Sequence, residues 1–218
     1  FNIKKVTMDF SKFIKPESLE NIDLEQGPLG IGIHASVLYF NEIFTKSGKY
    51  HLDEFIKEFP NVKNWILSSD YAFYDKNKKK DVVTFSLFPH LANFKQMSEC
   101  INLMAPTDIK NASSVSDLFI SYLKEGPVFS ISMVLERERR MHSDERDYFL
   151  HRLDAMINIF KYWCESTPEQ KNYYRQRISK LNQAKNLVCS PSANLRLFRD
   201  IETVANLAAY LLTDISIT

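Results

Sequence analysis

Glycine is scarce in this chain, five residues in 218. Loops that cradle phosphate need glycine where the backbone closes on the ligand. The one glycine-bearing stretch, Gly27-Pro-Leu-Gly-Ile-Gly32, fits neither the P-loop nor the dinucleotide fingerprint. Cysteine is scarce too: Cys100, Cys164 and Cys189 are odd in number and far apart. That excludes a disulfide framework and a cysteine-rich zinc site, and it suits a reducing, cytoplasmic setting. No apolar run approaches the roughly 18 residues that span a bilayer, so no membrane partner is expected. Charge of one sign is missing as well, with 28 Lys plus Arg against 27 Asp plus Glu. Global charge therefore gives no support to an electrostatic nucleic-acid binder and leaves room only for a local basic patch. The chain opens at Phe1 without a starter Met or a basic-then-apolar leader, which reads as a trimmed start.

What is present is apolar mass. Hydrophobic residues make up 44% of the chain and aromatics 13%, enough for a sizeable core. Prolines and polar caps divide it. Residues 1–60 read as an N-terminal arm or accessory region, with an apolar stretch over 31–43 whose period does not decide between strand and helix. Two apolar runs, 65–74 and 81–89, flank Asp75-Lys-Asn-Lys-Lys-Lys80 and predict a hairpin. Neither alternates cleanly, which predicts a sheet covered on both faces. Helical spacing follows over 91–104, then a helix capped by Ser114 or Ser116, then a strand over 128–135. Three helices close the chain, the first through Cys164, the second from Thr167-Pro168 to about Val188, and the last over 195–212, burying Leu197, Ile201, Val204, Ala208 and Leu211. A hairpin, a helical crossover and a further strand predict a mixed α/β sheet with helices on its faces, as a domain over 61–218.

Asp70 is the residue out of place, a carboxylate within the apolar run Trp65-Ile-Leu-Ser-Ser-Asp-Tyr-Ala-Phe-Tyr74. A charge inside a sheet is expected to be paired, hydrogen-bonded or holding a metal. By alternation it shares a face with Ser68 and Ala72, while Ser130 and Ser132 share one with Glu136. Asp108-Ile-Lys110 follows the Pro106 break, and Arg199, Glu202, Asn206 and Tyr210 form a polar stripe on the last helix, with Asp200 beside it. Acids gathered from several elements suit hard cations such as Mg²⁺ or Mn²⁺. Two such ions can activate water against a phosphodiester. Bland readings stand beside this one: Asp70 meeting a loop lysine, Glu136 opening a solvated strand exit, and the helix stripe facing water.

This layout resembles the RNase H-like fold, in particular a group of bacterial RNase H-like proteins with an Asp-Glu-Ser-Gly first-strand motif. Asp70 would stand for the first-strand acid, Asp108-Ile-Lys110 for the middle acidic-x-Lys step, and Glu136 for the acid after the later strand. Val204-Ala-Asn-Leu-Ala-Ala-Tyr210 is similar to the family's closing helix, with Asn206 where an acid is expected. The resemblance implies a metal-dependent nuclease using Mg²⁺ or Mn²⁺, with Asp70, Asp108 and Glu136 as ligands. Lys110 would be a phosphate contact, and Glu202 or Asp200 a supplementary acid. It equally allows a descendant without activity, a non-catalytic interaction subunit of a bacterial defence or mobile-element system that forms a homo-oligomer or binds a protein partner.

A third reading comes from Arg146-Asp-Tyr-Phe-Leu-His151, with Arg137-Glu-Arg-Arg-Met-His142 before it. The Arg-x4-His spacing is similar to that of helical HEPN ribonucleases, which cleave RNA without metal. His142, Asp144, Asp147, His151 and Asp154 also crowd one helix start. There His151 and Asp147 could coordinate a metal, or the acids could simply favour the helix N-terminus. His34, His51 and His90 have no evident partners in sequence.

Overall fold

A computed structural model of the protein describes residues 5–9, 34–106 and 114–217. They form a mixed α/β structure. Its strands are β1 (Lys5–Asp9), β2 (Trp65–Ala72), β3 (Asp81–Pro89) and β4 (Phe129–Leu135). Its helices are α1 (Ala35–Ser47), α2 (Lys49–Lys57), α3 (Phe94–Met104), α4 (Asp117–Glu125), α5 (Glu145–Ser166), α6 (Lys171–Cys189) and α7 (Leu195–Ile217). The ambiguous stretch near residue 31 resolves as helix, because Val37, Phe40 and Phe44 recur at helical spacing and all three are buried. Caps set the boundaries elsewhere. The side chains of Asn93, Ser116 and Asp144 accept the amides of Gln96, Phe119 and Asp147 at 3.0, 3.1 and 3.0 Å. Gly126 ends α4, where a Cβ would collide with the carbonyl oxygen of Tyr122.

The sheet runs β1-β4-β3-β2, with β2, β3 and β4 antiparallel and β1 parallel to β4. One face is apolar: Val83, Phe85 and Leu87 of β3 and Phe129, Ile131, Met133 and Leu135 of β4 are buried. Phe55 of α2 lies on it, its ring centroid 5.6 Å from that of Phe129. The other face carries hydroxyls in register. Thr84 Oγ1 and Ser132 Oγ are 2.9 Å apart, as are Ser86 Oγ and Ser130 Oγ. The sheet is thus not apolar on both faces, and β3 does alternate, buried residues at odd positions and half-buried ones between. What masks this in sequence is that Val82 and Phe88 sit among the hydroxyls on the second face.

The described residues divide into two compact units. One draws on Phe1–Ser11, Asn41–Arg137 and Leu211–Thr218 and contains the sheet. The other draws on Lys12–Phe40 and Glu138–Tyr210 and contains α5, α6 and most of α7. The expected boundary near residue 60 falls inside the first unit. The core of the second gathers Met141, Tyr148, Phe149, Leu153 and Val188, with Leu181, Ala184 and Phe198 packed against them. Trp163, at the end of α5, lies outside it and is exposed.

α7 departs from its expected orientation. Leu197 and Ile201 are exposed, while Asp200, Thr203, Leu207 and Leu211 are buried. Ion pairs turn the polar side of its first turns inward, which leaves Leu197 and Ile201 at the surface; Leu211 is buried as expected, and Val204 and Ala208 are half-buried.

Candidate nucleic-acid interface

Asp70 is exposed. Among the described residues its strand is the last in the sheet, paired on one side only, and Ser68, Ser69 and Tyr71 around it are exposed as well. The buried carboxylate of the hairpin is instead Asp81, with no exposed side-chain surface. Its Oδ1 accepts the amide of Tyr74 at 2.7 Å and lies 3.7 Å from Arg137 Nε. Tyr74 has a φ of 57°, and Arg137 also donates to the carbonyl of Asp75. Asp81 and Arg137 therefore hold the strained end of the hairpin, which is a structural task.

Glu136 pairs with Lys80, the neighbouring position across β3 and β4. Asp70 stands level with Thr84 and Ser132, and Glu136 lies four residues beyond Ser132. With strands ~4.8 Å apart and a rise of ~3.4 Å per residue, the two acids are about 17 Å apart along the sheet. That is too far to share an ion or a pair of ions. Asp108 and Lys110 lie outside the described residues. Among the described residues no three His, Cys, Asp or Glu side chains gather as a metal site, so these residues do not fit Mg²⁺ or Mn²⁺. Asp70 and Glu136 are not brought together within the sheet unit: Glu136 is held by Lys80 and Asp70 is exposed.

Asp200 and Glu202 of α7 belong to the second unit, and each has an arginine partner; Asp214, in the first unit, pairs with Lys49 at 2.9 Å. Arg139 Nη2 meets Asp200 Oδ1 at 2.5 Å, Arg152 Nε meets Glu202 Oε1 at 2.5 Å, and Arg199 chelates Glu145 at 2.7 and 2.6 Å. Glu145 Oε1 also accepts the amide of Met141 at 2.9 Å. These side chains are largely buried. The stripe is neither a ligand set nor a wet face but a charged seam. Asn206 donates to the carbonyl of Glu202 at 2.8 Å.

The Arg-x4-His pattern does not assemble a site either. Arg146 donates to the carbonyls of Val188 and Ser190, closing the end of α6, whereas His151 is exposed and 3.4 Å from Asp147. Five residues along a helix turn the two side chains about 140° apart.

His34, without partners in sequence, is buried beside Tyr148, ring centroids 5.9 Å apart, and its Nδ1 accepts the amide of Ser36 at 3.1 Å. Burial holds its pKa below the usual 6.5 against the backbone carbonyl of Met141, with Arg152 lowering and Glu202 raising it further. The same burial pushes the Tyr148 hydroxyl well above the tyrosine range. Above the ordinary histidine pKa, His34 is neutral folded or unfolded. As the pH falls through it, the unfolded chain takes up a proton that the folded chain refuses, so stability is lost on the acid side. Thermal melts between about pH 7.5 and 5.5 should show a steeper fall in Tm for the wild type than for His34→Gln. Parallel slopes would refute it.

The surface that sequence reasoning missed is α6. From Lys171 to Cys189 it carries Lys171, Arg175, Arg177, Lys180 and Lys185 and no Asp or Glu. Lys185 is taken by Asp154 at 2.6 Å. The other four are exposed, and among the described residues none is held by a carboxylate. Between them the outward face carries Asn172, Gln176, Ser179 and Gln183, all exposed. Inward, Leu181 and Ala184 pack against the core that α5 contributes to, and Ile178 is half-buried. A signal was there to find: no acid occurs between Glu169 and Asp200. A net charge of +1 conceals it, because acids elsewhere balance this segment.

No family model matches the chain, and no curated protein or solved structure is similar to it.

In the sheet unit α3 and α4 bury no residue. Phe94, Leu103 and Leu118 are each more than half exposed there.

Proposed function

We propose that this protein binds nucleic acid through the basic face of α6. The observation that carries this is a 19-residue helix exposing four cations that, among the described residues, no carboxylate holds, set among amide side chains with no acid of its own. Phosphate is the ligand such a face fits. Lysine and arginine supply charge and displace counterions, while amides and hydroxyls hydrogen-bond to sugar and base edges. The proposal keeps the nucleic-acid part of the nuclease expectation and agrees with a binding role that needs no catalytic centre. The mixed sheet supports an RNase H-like relationship only at the level of fold class.

Four neutralised phosphates correspond to a slope of log K against log salt of about −3 to −4. Fluorescence anisotropy with labelled oligonucleotides should give that slope for the wild type. The Arg177→Glu/Lys180→Glu variant should bind at least about tenfold more weakly, with a slope flatter by about two. Unchanged affinity in that variant would refute the proposal. Adding Mn²⁺ to the same oligonucleotides tests the nuclease expectation. Cleavage lost in Asp70→Asn would restore the sheet as a site, and intact strands with both proteins would remove it.

A further inference from the structure

Where α5 turns into α6, the chain places aromatic rings together. Phe160 and Trp163 have centroids 5.3 Å apart, Trp163 and Tyr174 5.6 Å, and Tyr173 and Tyr174 5.6 Å. Phe160 and Tyr174 are half-buried and anchor the group, and the Tyr174 hydroxyl donates to Gln170 at 3.0 Å. The outer rings stay open, with Trp163 41% and Tyr173 49% exposed. Rings held in edge and tilted contacts are oriented, so their open faces are ready for a planar partner without further ordering. Tyr173 also begins a line along α6. Arg177 follows one turn on, its Cζ 4.7 Å from the ring centroid, and Lys180 follows a turn after that.

From this we infer that the nucleic acid is single-stranded, with bases stacking on Trp163 and Tyr173 and the adjoining phosphates on Arg177 and Lys180. The inference rests on the reading of α6 as a nucleic-acid surface and names the substrate class. In a duplex the base faces are already stacked and hidden, so exposed rings gain nothing from it. A single strand offers a free face at every base, and cations at the end of the ring cluster fix where its backbone runs. A lipid surface is the less suitable occupant. The exposed residues between the rings, Glu165 and Glu169 to Asn172 among them, are polar apart from Pro168 and offer no aliphatic side chain to enter an acyl layer.

The test compares a single-stranded oligonucleotide of about 12 nucleotides with its duplex at equal ionic strength. DNA and RNA versions are used, with anionic phospholipid vesicles as a third probe. The single strand should bind at least about tenfold more tightly than the duplex. Tyr173→Ala should weaken single-strand binding about tenfold while leaving duplex binding unchanged. Tryptophan emission should be quenched on binding, and the quench should vanish in Trp163→Phe. Equal affinity for strand and duplex, both lost in Arg177→Glu/Lys180→Glu, would overturn the single-strand inference and leave the basic face standing. Binding to neither oligonucleotide would overturn both, and binding to vesicles alone would assign the surface to lipid.

Discussion

Asp200→Ala should remove about 3–5 kcal/mol of stability, against a total of about 5–15 kcal/mol for an ordinary fold. Its partner Arg139 has a side chain only 4% exposed, and Asp200's is 11% exposed. Truncating the acid takes the carboxylate at 2.5 Å away from a guanidinium with little access to water. The Coulomb gain is lost, while the desolvation cost already incurred stays. The neighbouring pairs Arg199–Glu145 and Arg152–Glu202 cannot compensate, since each acid is already engaged. Replacing both partners by apolar residues, Arg139→Met with Asp200→Leu, should recover most of the loss, because no charge is then stranded. Urea denaturation measures all three proteins. A single-variant loss below about 1 kcal/mol would show that the seam is not what turns α7 inward.

Asp81→Ala and Asp70→Ala form the second comparison, and the sequence alone would rank them the wrong way round. Asp81 is buried, accepts a 2.7 Å hydrogen bond from Tyr74 and faces Arg137, a largely buried cation. Removing its carboxylate unpairs both groups beside a residue with positive φ, where the backbone has least freedom to adjust. A loss of about 2–4 kcal/mol follows. At about 2–4 °C per kcal/mol for a chain of this size, Tm should fall by roughly 4–16 °C. Asp70 has solvent on the open side of β2, so its substitution should stay within about 0.5 kcal/mol. Equal shifts for the two variants would contradict the burial difference.

The elements were legible because their signals are local. Prolines, Asn93, Ser116 and Asp144 mark helix ends by chemistry that acts within a turn, and α3, α5, α6 and β4 lie close to their expected spans. Pairing order was not local. Whether β2 lies inside the sheet or at its rim depends on which strands flank β3, and no residue of β2 encodes that. Hence an apolar-looking run yielded an exposed Asp70, and the buried acid turned out to be Asp81 at the start of the next strand. The α7 acids misled for a related reason. A stripe of charges looks the same whether water or arginines face it, and Arg139 and Arg152 come from more than forty residues upstream. The α6 surface was readable in principle, but a nearly neutral total drew attention away from a segment free of acid.

β2 has eight residues, no proline, and Ile, Leu, Tyr and Ala among them, with hydrogen-bonding groups along one side that β3 does not use. A rim of that length, unpaired among the described residues, is a template on which another chain could extend the ribbon. A negative charge at Asp70 in its exposed middle, repeated on every copy, makes two such rims repel when they align antiparallel. An acid at that position is the kind of charge that disfavours edge-to-edge pairing, whatever little it adds to the fold's own stability.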